Sequence, residues 1–179
     1  MDLSQIEQLY HKHFNTTYRT AYLVTRDHQL AEDAAQEAFL KAFSNLHKLR
    51  DIRKFGPWVC TIATNYAIDL LRKNKKLIFS DNTETHSDHN IDNSPHKSWE
   101  RKEISYEIRD ALQLLEVDER EVMVLKYYNE LSIKEIASLT NTPQGTIKSR
   151  LFRARKKIGS FLQPETGKKR LYKKLPSKF

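Results

Sequence analysis

The chain has 179 residues, of which 39% are apolar and 30% charged, and its formal net charge is +8. Only 4 glycines and 5 prolines leave little turn material for a many-stranded sheet, and a single cysteine, Cys60, excludes an intrachain disulfide and a CxxC metal pair. The N-terminus carries charge at Asp2, Glu7, Lys12 and Arg19, and no apolar run is long enough for a signal peptide or a membrane span, so a soluble cytoplasmic protein with an acidic partner is expected.

Leu3, Ile6, Tyr10, Phe14, Tyr18 and Ala21 recur at helical spacing and predict a first helix. Asp27 is placed to cap a second. Its buried side is Leu30, Ala34, Ala38, Ala42 and Leu46, with Phe39 and Phe43 beside it. Asp33, Gln36, Glu37 and Leu40 then point elsewhere. Gly56-Pro57 opens a third helix with a regular stripe of Trp58, Val59, Ile62, Ala63, Tyr66, Ala67, Leu70 and Leu71. Asn65, Asp69, Arg72 and Lys73 lie off that stripe. These elements make a helical bundle over residues 1–77.

Periodicity collapses over 78–98. That stretch holds Asp81, Glu84, Asp88 and Asp92 against Lys97, and it cannot bury enough apolar surface to offset its ordering entropy. It reads as an acidic flexible linker. The pattern returns over 99–163. Asp118-Glu119-Arg120-Glu121 reads as a capping box stapled by Val117 and Val122, and Ser132-Ile133-Lys134-Glu135 as a second box stapled by Leu131 and Ile136. The helix after the second box stops near Leu139 at a Thr140-Asn141-Thr142 turn. Pro143 then starts a longer helix with Thr142 as its cap. A short helix, a tight turn and a longer helix form a helix-turn-helix.

In that last helix Ile147, Leu151, Ala154, Ile158 and Leu162 form one apolar face. Lys148, Ser149, Phe152 and Arg153 share another, joined by Gln144 and Gly145 near the start. Residues 142–163 include Lys148, Arg150, Arg153, Arg155, Lys156 and Lys157 and no acid. Such a helix suits a DNA major groove: its cations neutralise phosphates and reach base edges, and Phe152 can meet a thymine methyl. A basic tail, 164–179, follows. His86, His89 and His96 sit in a segment without the periodicity to fix ligand geometry, so no metal and no cofactor is expected. Cys60 is expected to be a buried, inert thiol. Without a nucleophile elbow, P-loop or zinc-protease motif, the chain does not read as an enzyme.

Three segments resemble the extracytoplasmic-function sigma factors, the smallest group of the sigma-70 family. AEDAAQEAFLKAF (Ala31 to Phe43) is similar to the region 2 helix that docks on RNA polymerase. GPWVCTIATNYAIDLLRK (Gly56 to Lys73) resembles the stretch that reads and opens the −10 element. LSIKEIASLTNTPQGTIKSRLFRARKKI (Leu131 to Ile158) resembles the region 4 helix-turn-helix that reads the −35 element. The resemblance implies an all-α protein of two small helical domains, region 2 and region 4, joined by the linker.

It further implies core-polymerase contacts at Asp33, Gln36, Glu37 and Leu40, made to the largest subunit's coiled-coil, with the second-largest subunit's flap as a further partner. Asn45, Leu49, Asn65, Arg72 and Lys73 would meet the −10 element, the first three forming a pocket for a flipped base. Gln144, Thr146, Lys148, Ser149, Phe152, Arg153 and Lys156 would meet the −35 duplex. Trp58 is expected in the core, while Phe55 and Tyr66 are candidates for stacking on an unpaired base. The linker would either follow the polymerase's basic channel, its acids imitating nascent RNA, or serve only as a solubilising tether. An anti-sigma protein is the expected regulator, because no sensory domain is attached. The alternatives are a stand-alone helix-turn-helix regulator, or a hydrolase or nuclease carrying a basic DNA-binding module.

Overall fold

The computed structural model describes residues 2–80 and 106–161. Helix α1 (Leu3–Thr25) starts on a capping box in which Asp2 accepts from the Gln5 amide at 2.8 Å and the Gln5 side chain accepts from the Asp2 amide at 3.3 Å. It ends on Arg26, in the left-handed region at φ 64°. Asp27 caps α2 (His28–Ser44) as expected, accepting from the Leu30 amide at 2.9 Å. Two single 3-10 turns, Leu46–Lys48 and Ile52–Lys54, lead into α3 (Phe55–Ser80).

These three helices pack mutually. Ala31, Ala34, Ala35, Ala38 and Ala42 are fully buried on α2, and Val59, Ala63 and Ala67 on α3. Small side chains at those positions let the helix backbones approach closely. The space between them is filled by rings: Phe39 lies against Tyr10, Phe14, Phe43 and Phe55 with centroids 4.8 to 6.2 Å apart. Burying such rings contributes more than any hydrogen bond in this lobe. Leu3, at the start of α1, is 84% exposed. One expectation is corrected here. Phe55 is fully buried in the ring cluster and has no face to offer a base. Tyr66 is half-buried with the Lys41 ammonium 4.9 Å over its ring, and Trp58 sits at the edge of the core against Phe55.

The second lobe consists of α4 (Tyr106–Gln113), α5 (Val117–Met123), α6 (Ile133–Leu139) and α7 (Gln144–Phe161). Helix α5 continues into a π turn, Val124–Tyr128, closed by the Asn129 amide donating to the Val124 carbonyl at 3.1 Å. Glu130, at φ 57°, then reverses the chain. The Ser132 box is present: the Glu135 amide donates to Ser132 Oγ at 3.2 Å and the Ser132 amide to Glu135 Oε2 at 3.0 Å.

The first box sits two residues earlier than expected. Glu116 is the cap and Glu119 its reciprocal partner, whereas Asp118 and Glu121 serve other contacts. Thr142 also differs: its hydroxyl donates to the Thr140 carbonyl at 3.1 Å, and α7 begins at Gln144 with Pro143 just ahead. Asn141, at φ 48°, makes the turn between α6 and α7. Ile147, Leu151, Ala154 and Ile158 are buried against the lobe as the spacing predicts. No strand occurs among the described residues.

The two lobes touch. Helix α1 packs on α5 and on the π turn. Arg120 on α5 donates Nη1 to the Val24 carbonyl at 2.7 Å, while its Nε and Nη2 donate to the Leu112 and Leu115 carbonyls at 3.0 and 3.1 Å. One guanidinium thus satisfies two carbonyls at the end of α4 and one near the end of α1. The Asn129 amide donates to Thr20 Oγ1 at 3.0 Å. Thr17 and Thr20, polar residues on α1, are fully buried beneath this contact, beside the buried Cys60. Linker residues 81–98 and the basic tail 164–179 lie outside the described residues, as do Leu162, His86, His89 and His96.

Candidate nucleic-acid interface

The turn at Asn141 and the apolar face of α7 leave one side of that helix in solvent. Gln144, Gly145, Thr146, Lys148, Ser149, Phe152, Arg153 and Lys156 are all exposed there, and Phe152 is 69% exposed despite its size. Leu151 and Ile147 hold the opposite face. The outer surface therefore combines cations, hydroxyls and an unburied ring, which is the mixture a groove-reading helix presents.

The basic residues of α7 are not equivalent. Arg150 turns inward: Nη2 donates to Asp118 Oδ2 at 2.6 Å and Nη1 lies 3.8 Å from Glu121. Arg155 donates Nε and Nη2 to the Tyr127 hydroxyl at 3.0 and 2.6 Å. Arg153 and Lys157 both donate to Glu119, at 3.1 and 2.8 Å. Lys148 and Lys156 meet no acceptor among the described residues. Sequence reasoning counted six cations and no acid within residues 142–163. It missed that Asp118, Glu119 and Glu121 on α5 supply the acids, because the partners lie about thirty residues away in the chain. The only local signal was two glutamates and an aspartate crowded into one short helix.

These carboxylates differ in protonation. Burial raises Glu119, but hydrogen bonds from Lys157 and Arg153, and from the Glu116 amide, outweigh it and keep the group below the usual carboxylate range. For Glu121 burial dominates over the attraction of Arg150, and its pKa is pushed up to about 7.

On α3, Asn65 and Arg72 are exposed on one face and line a cleft of about 290 Å³. Across it stand Asp118, Glu121 and Arg150 from the second lobe. Arg72 pairs with Asp69 at 3.8 Å and reaches Asp118 at 3.4 Å, so the basic end of α3 is held partly by the other lobe. Lys73 is exposed. Asn45 and Leu49 do not line this cleft. The Asn45 side chain donates to the Lys41 carbonyl at 2.9 Å and accepts from Lys48 at 2.6 Å, and Leu49 packs against the first lobe's core. On α2, Asp33, Gln36, Glu37 and Leu40 fall on one outward face. Their polar contacts stay within the helix: Gln29 to Asp33 at 3.2 Å, Gln36 to Glu32 at 3.4 Å and Lys41 to Glu37 at 3.8 Å. Leu40 is 64% exposed among them.

Comparison with known proteins fits this arrangement at both ends of the chain. The sigma-70 region 2 family model matches residues 9–77, and the sigma-70 region 4 model matches residues 105–158. The ECF RNA polymerase sigma factor SigM of Bacillus subtilis is 34% identical over 154 residues, covering 86% of this chain and 92% of that protein. The chain belongs to the extracytoplasmic-function sigma factors of the sigma-70 family. This sigma factor is also 36% identical to the RNA polymerase sigma-H factor of Pseudomonas aeruginosa over 146 residues, covering 77% of this chain and 76% of that one. Among solved structures, its fold is similar to the sigma factor RpoE of Bartonella quintana, in complex with the anti-sigma factor NepR. The TM-score is 0.69 at 22% identity, over 89% of this chain and 98% of that one. CnrH, in complex with the cytosolic domain of CnrY, has a TM-score of 0.60 at 20% identity, over 90% of this chain and 89% of that one. No helix among the described residues is long and apolar enough to cross a membrane.

Proposed function

We propose that this sigma factor joins core RNA polymerase through α2, reads and opens the −10 element with α3, and reads the −35 duplex with the outer face of α7. The observation that carries this reading is α7 itself. Its buried apolar residues and four of its six cations are bound to the lobe, and what remains outside is a contiguous polar, basic and aromatic face. Docking is assigned to Asp33, Gln36, Glu37 and Leu40, because an exposed leucine ringed by acidic and amide groups is a self-contained contact patch. Asn65, Arg72 and Lys73 serve the −10 strand, with Asn45 and Leu49 at the end of α2 and the loop beyond. The protein supplies recognition and leaves bond making to the polymerase. A separate anti-sigma protein, as in the complex of RpoE with NepR, would act by covering these faces in the cytoplasm.

The test is transcription from a promoter library by core polymerase with and without the protein. Specific start sites that need both halves of a bipartite promoter are expected. Operator binding without polymerase, and no gain in transcription with it, would assign the chain to stand-alone regulators. Within that assay Asp33→Lys with Glu37→Lys should weaken association with core by tenfold or more, while circular dichroism stays that of the parent. Unchanged competition for core would leave the α2 face as ordinary solvated surface.

A further inference from the structure

We propose that Glu119 is a positioning residue for promoter selectivity, holding the Arg153 guanidinium by its Nε so that the Nη pair is presented to a −35 base edge. The inference rests on α7 being the −35 reader.

The argument begins with the three arginines of α7. Arg150 is bound through both Nη atoms to Asp118 and Glu121 and is turned into the lobe. Arg155 is bound through Nε and Nη2 to Tyr127. Arg153 is anchored only at the root of its fork: Nε donates to Glu119 Oε1 at 3.1 Å, and neither Nη meets an acceptor among the described residues. Its side chain is 57% exposed, so the free end stands in solvent beside Phe152. The Nη pair is the part of arginine that matches the two acceptors of guanine in the major groove.

The anchor is itself rigid. Glu119 is 4% exposed, and its Oε2 accepts from Lys157 Nζ at 2.8 Å and from the Glu116 amide at 3.3 Å. That last bond is half of the α5 capping box, so the carboxylate is locked to the start of a helix. Lys157, one turn beyond Arg153, shares the carboxylate and offsets its charge toward an approaching phosphate backbone. A free arginine loses considerable rotamer freedom on forming a two-pronged contact. An arginine already fixed at Nε has lost part of it before DNA arrives, and its fork is confined to one direction and hence to one base step. A plain ion pair that only stabilised the lobe would leave selectivity untouched.

The test uses holoenzyme made from core polymerase and the full chain, transcribing a library randomised across the −35 element. Arg153→Ala should reduce preference at one base step by about tenfold or more. Glu119→Gln, which can still act in the capping box, should flatten the same step about threefold to tenfold. It should change no other step, and add nothing in the Arg153→Ala background. A uniform loss over all −35 sequences would overturn the proposal in favour of a structural ion pair. So would an unchanged profile for Glu119→Gln beside a shifted one for Arg153→Ala, although base reading by Arg153 would stand. An unchanged profile for Arg153→Ala would remove both. Should Glu119→Gln melt below the assay temperature, Glu119→Asp keeps the charge but withdraws it by one methylene. It is expected to flatten the same step, and full selectivity in that variant would overturn the proposal.

Discussion

Glu121 shows how much one buried carboxyl can impose on stability. In sequence it looks like the reciprocal half of a capping box. In the structure it is buried at the interlobe cleft, faced by Arg150, Asp118 and Arg72, with a pKa of about 7. Its folded pKa lies above the ordinary 4.5, so the folded protein retains a proton that the unfolded chain releases between those values. The stability that goes with this proton is fully present below pH 4.5 and is lost as pH rises through about 7. The loss is on the order of 3 kcal/mol at most. Glu121→Gln, which cannot ionise, should exceed the parent in stability at pH 8 by more than at pH 5. Urea melts at the two pH values measure this, and an equal difference at both would mean that Glu121 is ionised throughout. Gly56 is the other residue fixed by a neighbour out of sight in the chain. A Cβ there would stand 2.8 Å from Nδ1 of His13, a half-buried ring packed on Phe55. Gly56→Ala should therefore cost about 1–3 kcal/mol by overpacking. The smaller side chain of His13→Ala should recover most of it in the double variant, as thermal melts would show.

At the level of elements, the sequence was most informative where the signal is local. The Asp27 cap, the Ser132 box, the turn at 140–142 and the apolar face of α7 are all encoded within a few residues and all appear. The π turn at Val124–Tyr128 has no such signature. The first capping box went wrong because Asp is the better cap on local grounds, while two arginines from other helices claim Asp118. The candidate site was legible as a list of exposed residues on α7 but not as a set of roles, since those depend on which cations α5 neutralises. The roles separate experimentally. Lys148→Ala, Ser149→Ala and Phe152→Ala should each cost roughly 1–3 kcal/mol at particular −35 bases. Lys156→Ala, removing a cation with no partner among the described residues, should instead weaken all sequences alike and lower the salt slope by about one. Transcription from −35 variants at several salt concentrations distinguishes the two groups, and equal behaviour would dissolve the division.

For the molecule as a whole, the compact contact between lobes conflicts with the geometry of the proposed target. The −10 and −35 elements are separated by about 25 base pairs, or roughly 85 Å of duplex at 3.4 Å per step. Lobes joined by Arg120 to Val24 at 2.7 Å and Asn129 to Thr20 at 3.0 Å cannot engage both. The 25 residues between the end of α3 at Ser80 and the start of α4 at Tyr106, at up to roughly 3.3 Å each, are enough chain to reach about 80 Å, which with the width of the lobes is sufficient. Polymerase binding must then separate the lobes, and the free protein's preference for the packed arrangement lowers its apparent affinity for core by the same factor. Asn129→Ala isolates this cost. It removes the amide that meets Thr20 and leaves the Arg120 contacts within the second lobe intact. Losing one such bond is worth about 1 kcal/mol, or roughly fivefold in the equilibrium. Dyes at Asn15→Cys and Ser160→Cys, both exposed positions, report the separation, while Cys60, buried and with its thiol pKa raised by that burial, stays unlabelled. Transfer should be high in the free protein and fall when core polymerase is added. In Asn129→Ala it should be lower at the outset, with core bound several-fold more tightly. If transfer falls in the free variant but affinity for core does not rise, separating the lobes is no part of docking, and the packed arrangement costs the protein nothing at the polymerase.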